Sequence, residues 1–385
     1  MLKESSDLTT SFLPDTPLVS WQEGSDLHQA QWRSENHSKP PVRVQVVDDT
    51  LKADHAYRLA CEGTALLWRG DFQNARQLLQ AMARRMDRKP AKASSSLLDA
   101  FNLHRQAMAQ RARVLGMLLV ELDADYTIAL RRAPDVKEAC LQAYGEAEHS
   151  SLISLRELQG VIGAYEWRKK GVEVAALGAQ IHPHYGVFSP VRGEYVDLVA
   201  QAVLPDSELA FDIGTGSGVL AAVLAQRGVK KVIATDQDAR ALACARENMQ
   251  RLGLSQQVEV MECNLFPEGK AGLLLCNPPW IPAKANAAIE YAIYDPGSAM
   301  LKGFLNGVTA HLLPHGEAWL ILSDIAEHLG LRTRQQLLEM FESAGLKVIA
   351  KLDTRPRHGR ASDDTDPLHQ ARSAEVTSLW RLTAI

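Results

Sequence analysis

The chain has 385 residues, 46% of them hydrophobic and 23% charged, with a formal net charge of -4. That length accommodates two domains, and the composition is that of an ordinary globular protein. The slight negative balance excludes a chain-wide basic field for holding nucleic acid and leaves only local patches. Five scattered cysteines, Cys61, Cys140, Cys244, Cys263 and Cys276, form no Cys-x-x-Cys pair. This argues against a disulfide framework or a zinc site, and for a reducing, cytoplasmic setting. No apolar run reaches membrane-spanning length, and Met1 to Ser20 lacks the pattern of a signal peptide.

Residues 1–54 are rich in Ser, Asp, Thr, Pro and Gln, which predicts a flexible leader. Residues 55–170 read as a helical N-terminal domain. Leu59, Leu66, Leu67, Leu78, Leu79 and Met82 recur at helical spacing, as do Leu98, Phe101, Met108, Leu115, Leu118 and Leu119. Trp68 to Phe72 with Ala75 has the look of one helical hairpin of a repeat, but no second copy follows at a fixed period. Residues 171–385 open with a short strand, 171–177, then an irregular stretch around Tyr185 to Pro190, then a helix from Val191 to Leu204.

From there the chain alternates. Strands are predicted at 208–213, 231–235, 258–262, 272–276, 317–323, 346–353 and 375–383, and helices at 218–227, 238–252, 297–312 and 331–344. Alternation of this kind gives an α/β fold with a mostly parallel sheet covered on both faces. The last two strands have no helix predicted between them and are expected to pair antiparallel at the sheet edge.

Phe211-Asp212-Ile213-Gly214-Thr215-Gly216-Ser217-Gly218 joins an apolar strand to a helix. Glycines there let the backbone turn tightly and approach a ligand, and the helix start offers free amides. Val219 stands where a dinucleotide fingerprint has its third glycine, which argues against hydride-transfer cofactors. The next strand ends at Asp236, followed by Gln237, where a carboxylate can accept two ribose hydroxyls. Asn264, after the third strand, is a candidate for adenine recognition. A second polar loop, Asn277-Pro278-Pro279-Trp280, follows the apolar run Leu273 to Leu275.

The two loops together resemble the cofactor and catalytic loops of class I S-adenosylmethionine-dependent methyltransferases. The second is similar to the (Asn/Asp/Ser)-Pro-Pro-aromatic loop of enzymes that methylate exocyclic base amines or the side-chain amide of glutamine. The resemblance implies a Rossmann-like seven-stranded methyltransferase core, with S-adenosyl-L-methionine as the cofactor and no metal. It further implies that Asp212, Gly214, Thr215, Gly216, Gly218, Asp236, Gln237 and Asn264 hold the cofactor.

The expected acceptor nitrogen is planar, its lone pair delocalised. The Asn277 side-chain oxygen and the Pro278 carbonyl can each accept one of its N–H groups. They would then aim the lone pair and favour the developing positive charge. The Trp280 ring offers a stacking face, and Pro278 and Pro279 stiffen the loop.

On the acceptor side, Gly186-Val187-Phe188-Ser189-Pro190 followed by Arg192 and Glu194 mixes two patterns. One resembles the segment before the core of release-factor glutamine methyltransferases, the other that of ribosomal RNA guanine methyltransferases. Phe188 is expected to cover the cofactor and Arg192 to meet a carboxylate or phosphate. Tyr291, Tyr294 and Asp295 are candidate substrate contacts. Arg355 to Arg360 can reach phosphates, although Asp363, Asp364 and Asp366 offset its field. His182 and His184 have no sequence neighbours that would complete a metal site. The acceptor is expected to be macromolecular, protein or ribonucleoprotein, with RNA or DNA open. A non-catalytic cofactor-binding scaffold is the reading from a different class.

Overall fold

The computed structural model describes residues 17–87, 94–191, 193–284, 290, 292–356 and 363–385. The chain divides into two compact units: Met1–Pro90 with Met108–Ile162, and Ala91–Ala107 with Gly163–Ile385.

The first unit contains β1 (Leu18–Glu23), β2 (Asp26–Arg33), β3 (Arg43–Val47), α1 (Ala53–Cys61), β4 (Thr64–Trp68) and α2 (Phe72–Asp87). After α3 (Leu97–Leu115), which the division crosses, come β5 (Leu118–Leu122), α4 (Lys137–Tyr144) and β6 (Ser151–Ser154). The strands form one six-stranded sheet in the order β1-β2-β6-β5-β4-β3.

Residues 18–47 are three strands rather than a leader. Val19, Trp21 and Ala30 point one way along a hairpin and are buried, while the Ser, Gln and Asp residues between them face outward. The region 55–170 is also not all helix. Leu66 and Leu67 lie in β4, and Leu118 and Leu119 in β5, all fully buried. Adjacent leucines in strands buried on both faces carry no period-two signal and imitate a helix. Trp68 to Phe72 is accordingly a strand–turn–helix and not a helical hairpin.

The second unit continues through α5 (Leu155–Lys170), which the division also crosses, to the two-stranded β7 (Val172–Val174) and β8 (Ala179–Ile181). Then come α6 (Glu194–Gln201), β9 (Leu209–Ile213), α7 (Val219–Gln226), β10 (Lys231–Asp236), α8 (Ala239–Arg251), β11 (Val258–Glu262) and β12 (Ala271–Cys276). The chain closes with α9 (Ala299–His311), β13 (Leu312–Ser323), α10 (Ile325–His328), α11 (Arg334–Ser343), β14 (Leu346–Thr354), α12 (His369–Ala374) and β15 (Thr377–Ala384).

Seven strands form the sheet β11-β10-β9-β12-β13-β15-β14, in which β13 and β14 pair antiparallel with β15 and the other neighbours run parallel. This is the expected α/β core, with the expected antiparallel edge, although the short α12 intervenes before β15.

Burial follows from sequence. All six residues of β12 are buried, as befits the centre of a parallel sheet. Helix α7, Val-Leu-Ala-Ala-Val-Leu-Ala-Gln, is apolar nearly all round and buries seven of its eight residues. Asp238 caps α8 by accepting from the Arg240 amide at 2.8 Å, and Thr333 with Gln336 forms a capping box on α11. Among the described residues no helix is long and apolar enough to cross a membrane.

Candidate functional site

The sheet order reverses direction between β9 and β12, the place where open parallel sheets bind ligands beyond their carboxyl ends. Register sets the geometry. Ile213, the last residue of β9, pairs with Cys276, the last of β12, so Gly214 and Asn277 leave the sheet side by side. Thr235 pairs with Ile213 on the other flank and Asp236 with Glu262 beyond it. The four strand ends thus carry the glycine loop, Asp236 with Gln237, Asn264 and the Asn-Pro-Pro-Trp loop along one edge.

The glycine loop needs its glycines. Gly214 has φ +72°, and a Cβ there would lie 2.4 Å from the Met300 Cε. Gly218 has φ +82°, and its Cβ would meet the Met249 Cε at 2.9 Å and the Ala245 Cα at 3.3 Å. The Gly214 and Thr215 amides both donate to the Thr235 carbonyl, at 2.9 and 2.8 Å. The Gly216 amide donates to Asp236 Oδ2 at 3.0 Å, so the two cofactor-side strand ends are bonded to one another. Asp236 Oδ1 accepts from the Asp238 amide at 3.0 Å, and the carboxylate keeps further lone pairs for hydroxyl donors.

Asp212 is almost wholly buried. Its Oδ2 accepts from Thr215 Oγ1 at 2.6 Å and from the Ala221 amide at 3.2 Å. Burial raises its carboxyl to about 6, against the lowering effect of those two bonds and with a small push from Asp236. Burial likewise holds the Cys276 thiol well above its ordinary value, helped by the Asp212 and Asp295 carboxylates, so it stays protonated.

In the second loop Pro278 is buried while Asn277, Pro279 and Trp280 are half-buried. The Trp280 indole Nε1–H donates to Asn277 Oδ1 at 2.9 Å. Beyond it the Ile281 amide donates to the Ile293 carbonyl at 3.1 Å, and the Asp295 amide to the Ile281 carbonyl at 2.8 Å.

Residues 178–348 match the methyltransferase small domain. A release factor glutamine methyltransferase of Cereibacter sphaeroides is 32% identical over 184 residues, 43% of this chain and 63% of that protein. The same-named protein of Gloeobacter violaceus is 30% identical over 212 residues, 52% of this chain and 68% of that protein. The chain belongs to the class I S-adenosylmethionine-dependent methyltransferases of the small-domain type.

The match spans somewhat less than two thirds of the C. sphaeroides relative. A tRNA1(Val) (adenine(37)-N6)-methyltransferase of Shewanella amazonensis is 29% identical over 174 residues, 40% of this chain and 72% of that protein. A methyltransferase structure from Pyrococcus furiosus covers 60% of this chain and 99% of its own, at 19% identity and a TM-score of 0.39.

The methyltransferase's residues fit the cofactor. A Cβ on Gly216 would meet no atom within 4 Å, so the loop backbone there borders open space. The buried Asp212 carboxylate next to the loop supplies a negative charge suited to an ammonium.

Phe188 is half-buried against the same apolar cluster that receives one side of Trp280. Asn264 is exposed and Gln237 directly follows β10. Tyr294 is half-buried, with the Arg105 guanidinium 4.6 Å from its ring centroid. Asp295 serves the fold, since its two oxygens accept the Met300 and Leu301 amides at 3.0 and 3.1 Å and so cap α9. Arg192, Tyr291 and residues 357–362, which include Arg357 to Arg360, lie outside the described residues.

Sequence reasoning missed Asn248. It is buried on α8, accepts from the His182 amide at 2.8 Å and donates to the Ser217 carbonyl at 3.0 Å. It thereby ties the segment before Phe188 to the glycine loop, a role no motif announces. His184 Nε2 meets Glu247 Oε2 at 2.7 Å, and Glu247 also holds Arg168 and Arg251. Among the described residues no group of three or more His, Cys, Asp or Glu is placed to hold a metal ion.

Proposed function

We propose that this methyltransferase transfers a methyl group to a planar –NH₂ nitrogen, the side-chain amide of a glutamine in a protein acceptor. The observation that carries the reading is the pairing of Ile213 with Cys276, which puts the Asn277 side chain next to the cofactor loop. S-adenosyl-L-methionine supplies an electrophilic methyl on a sulfonium. The chain's own residues present the nitrogen. Asn277 Oδ1 and the Pro278 carbonyl accept the two N–H groups, which turns the lone pair along the line of displacement. The cofactor would give up the methyl and take back the C–S electron pair, leaving the methylated nitrogen positive. The same two acceptors stabilise that charge until one proton passes to water. Trp280 covers one face of the acceptor group.

The glutamine assignment is supported by the release factor relatives, together with the chain's modest net negative charge. A nucleobase amine is the second reading, supported by the tRNA adenine relative. We place the reaction in a reducing, cytoplasmic setting, in keeping with five cysteines that form no disulfide.

The test is tritiated cofactor with lysate of a strain lacking the gene, followed by protease or nuclease. Protease should release the label. Release by nuclease instead would establish the base reading. Asn277→Ala should cut the rate by about 10²–10³ with cofactor affinity retained, and unchanged turnover would refute the acceptor geometry.

A further inference from the structure

We propose that the indole N–H of Trp280 is a positioning group that fixes which end of the Asn277 amide faces the acceptor. The proposal rests on the N-methyl transfer reading above and gives this side chain a role beyond stacking. A side-chain amide is nearly symmetric in shape: a half-turn exchanges its oxygen for its NH₂ group with little change in packing. Only the oxygen can receive an N–H of the acceptor. An amide free to turn would spend part of its time presenting a donor to a donor.

The indole can only donate, so its 2.9 Å bond selects Oδ1 and not Nδ2. The donor is itself held, because the Trp280 ring packs against three separate apolar clusters. One surrounds α7, one surrounds α9, and one is formed by Phe101, Ile325 and Leu368. The oxygen has two lone pairs. One is taken by the indole and one is left, which limits Asn277 to a single acceptor N–H and sends the second to the Pro278 carbonyl. A phenylalanine at 280 would keep a flat face and lose the selection.

The test combines a spectrum with a mutant cycle on the full chain. In ¹⁵N spectra the Trp280 indole signal, assigned by its loss in Trp280→Phe, should shift and exchange faster in Asn277→Ala. It should stay protected in Asn277→Asp, which still accepts. Trp280→Phe should bind S-adenosylhomocysteine within about twofold of wild type yet transfer label to lysate about tenfold more slowly. In an Asn277→Ala background the same substitution should cost no more than about twofold, because its effect runs through Asn277.

An equal loss in both backgrounds would reduce Trp280 to a stacking surface and overturn the proposal. An indole signal indifferent to Asn277→Ala would do the same. Should Trp280→Phe fail to bind S-adenosylhomocysteine, the indole signal in the two Asn277 variants decides alone. Absence of label transfer by the wild type would strike the proposed reaction and leave the spectral result standing.

Discussion

Asp212→Asn isolates the charge that burial opposes in the cofactor site. The carboxyl moves from 3.8 to about 6, mainly through desolvation. That rise corresponds to ~3 kcal/mol between the two protonation states. Between those two values the folded chain keeps a proton that the unfolded chain releases. Stability therefore falls as pH rises through about 4 to 6, and the loss is complete above that window. Asn carries no charge and has no such slope. Its carbonyl can keep the Thr215 and Ala221 bonds, and any cost of its NH₂ group is constant with pH.

The quantity to measure is the difference in unfolding free energy, variant minus wild type, from pH 4 to 8. With two compact units the full chain need not unfold in one step. The relevant transition is the one that S-adenosylhomocysteine raises. The difference should grow by about 3 kcal/mol in the variant's favour across the window. A curve flat to within ~0.5 kcal/mol would refute the buried-carboxylate account. Wild-type affinity for the cofactor should also weaken below pH 6, where the neutral acid has no charge for an ammonium, and the variant should lack that dependence.

Gly218→Ala should destabilise the same transition by about 1–3 kcal/mol, since it adds a Cβ at φ +82° against Ala245 and Met249; chemical denaturation would measure it, and a neutral result would mean the loop relaxes freely. Arg332 is 5% exposed, and no described group accepts from its Nε or Nη2, while Asp295 and Glu327 attract it only at a distance. Arg332→Met should therefore stabilise by about 1–3 kcal/mol in the same assay, and a loss of stability would show that its charge has a structural use.

The core was legible because its signals are local. β9, β10 and β12 are largely apolar runs closed by a polar or glycine-rich turn, and the two loops sit at strand ends where register alone brings them together. Local signals misled in the first unit. The leucine pairs of β4 and β5 have no alternation to read, and the β1–β2 hairpin buries only Val19, Trp21 and Ala30 amid polar residues that dominated its composition. Asn248 was invisible because its meaning lies in two backbone groups, at His182 and Ser217, far from it in sequence. Asp295 looked like a substrate contact because nothing local shows that it caps α9.

The same limitation hid a contribution from α3 to the catalytic unit. Residues 91–107 group with the methyltransferase core although 55–170 read as one separate domain. Phe101 and Ala100 join an apolar cluster against which Trp280, Ile281 and Tyr294 pack. Arg105 stacks over Tyr294 at 4.6 Å and near Phe101 at 5.8 Å, and donates to the Lys284 carbonyl. It thus grips the segment after the catalytic loop at two points, Tyr294 and Lys284. Removing it should disturb acceptor recognition alone. A cation–π contact of ~0.5–2 kcal/mol corresponds to roughly a two- to thirtyfold effect. Arg105→Ala should raise the acceptor KM within that range while S-adenosylhomocysteine affinity, measured by calorimetry, stays at the wild-type value. An equal loss of both would mean that Arg105 supports the whole unit, and no change in either would remove α3 from acceptor recognition.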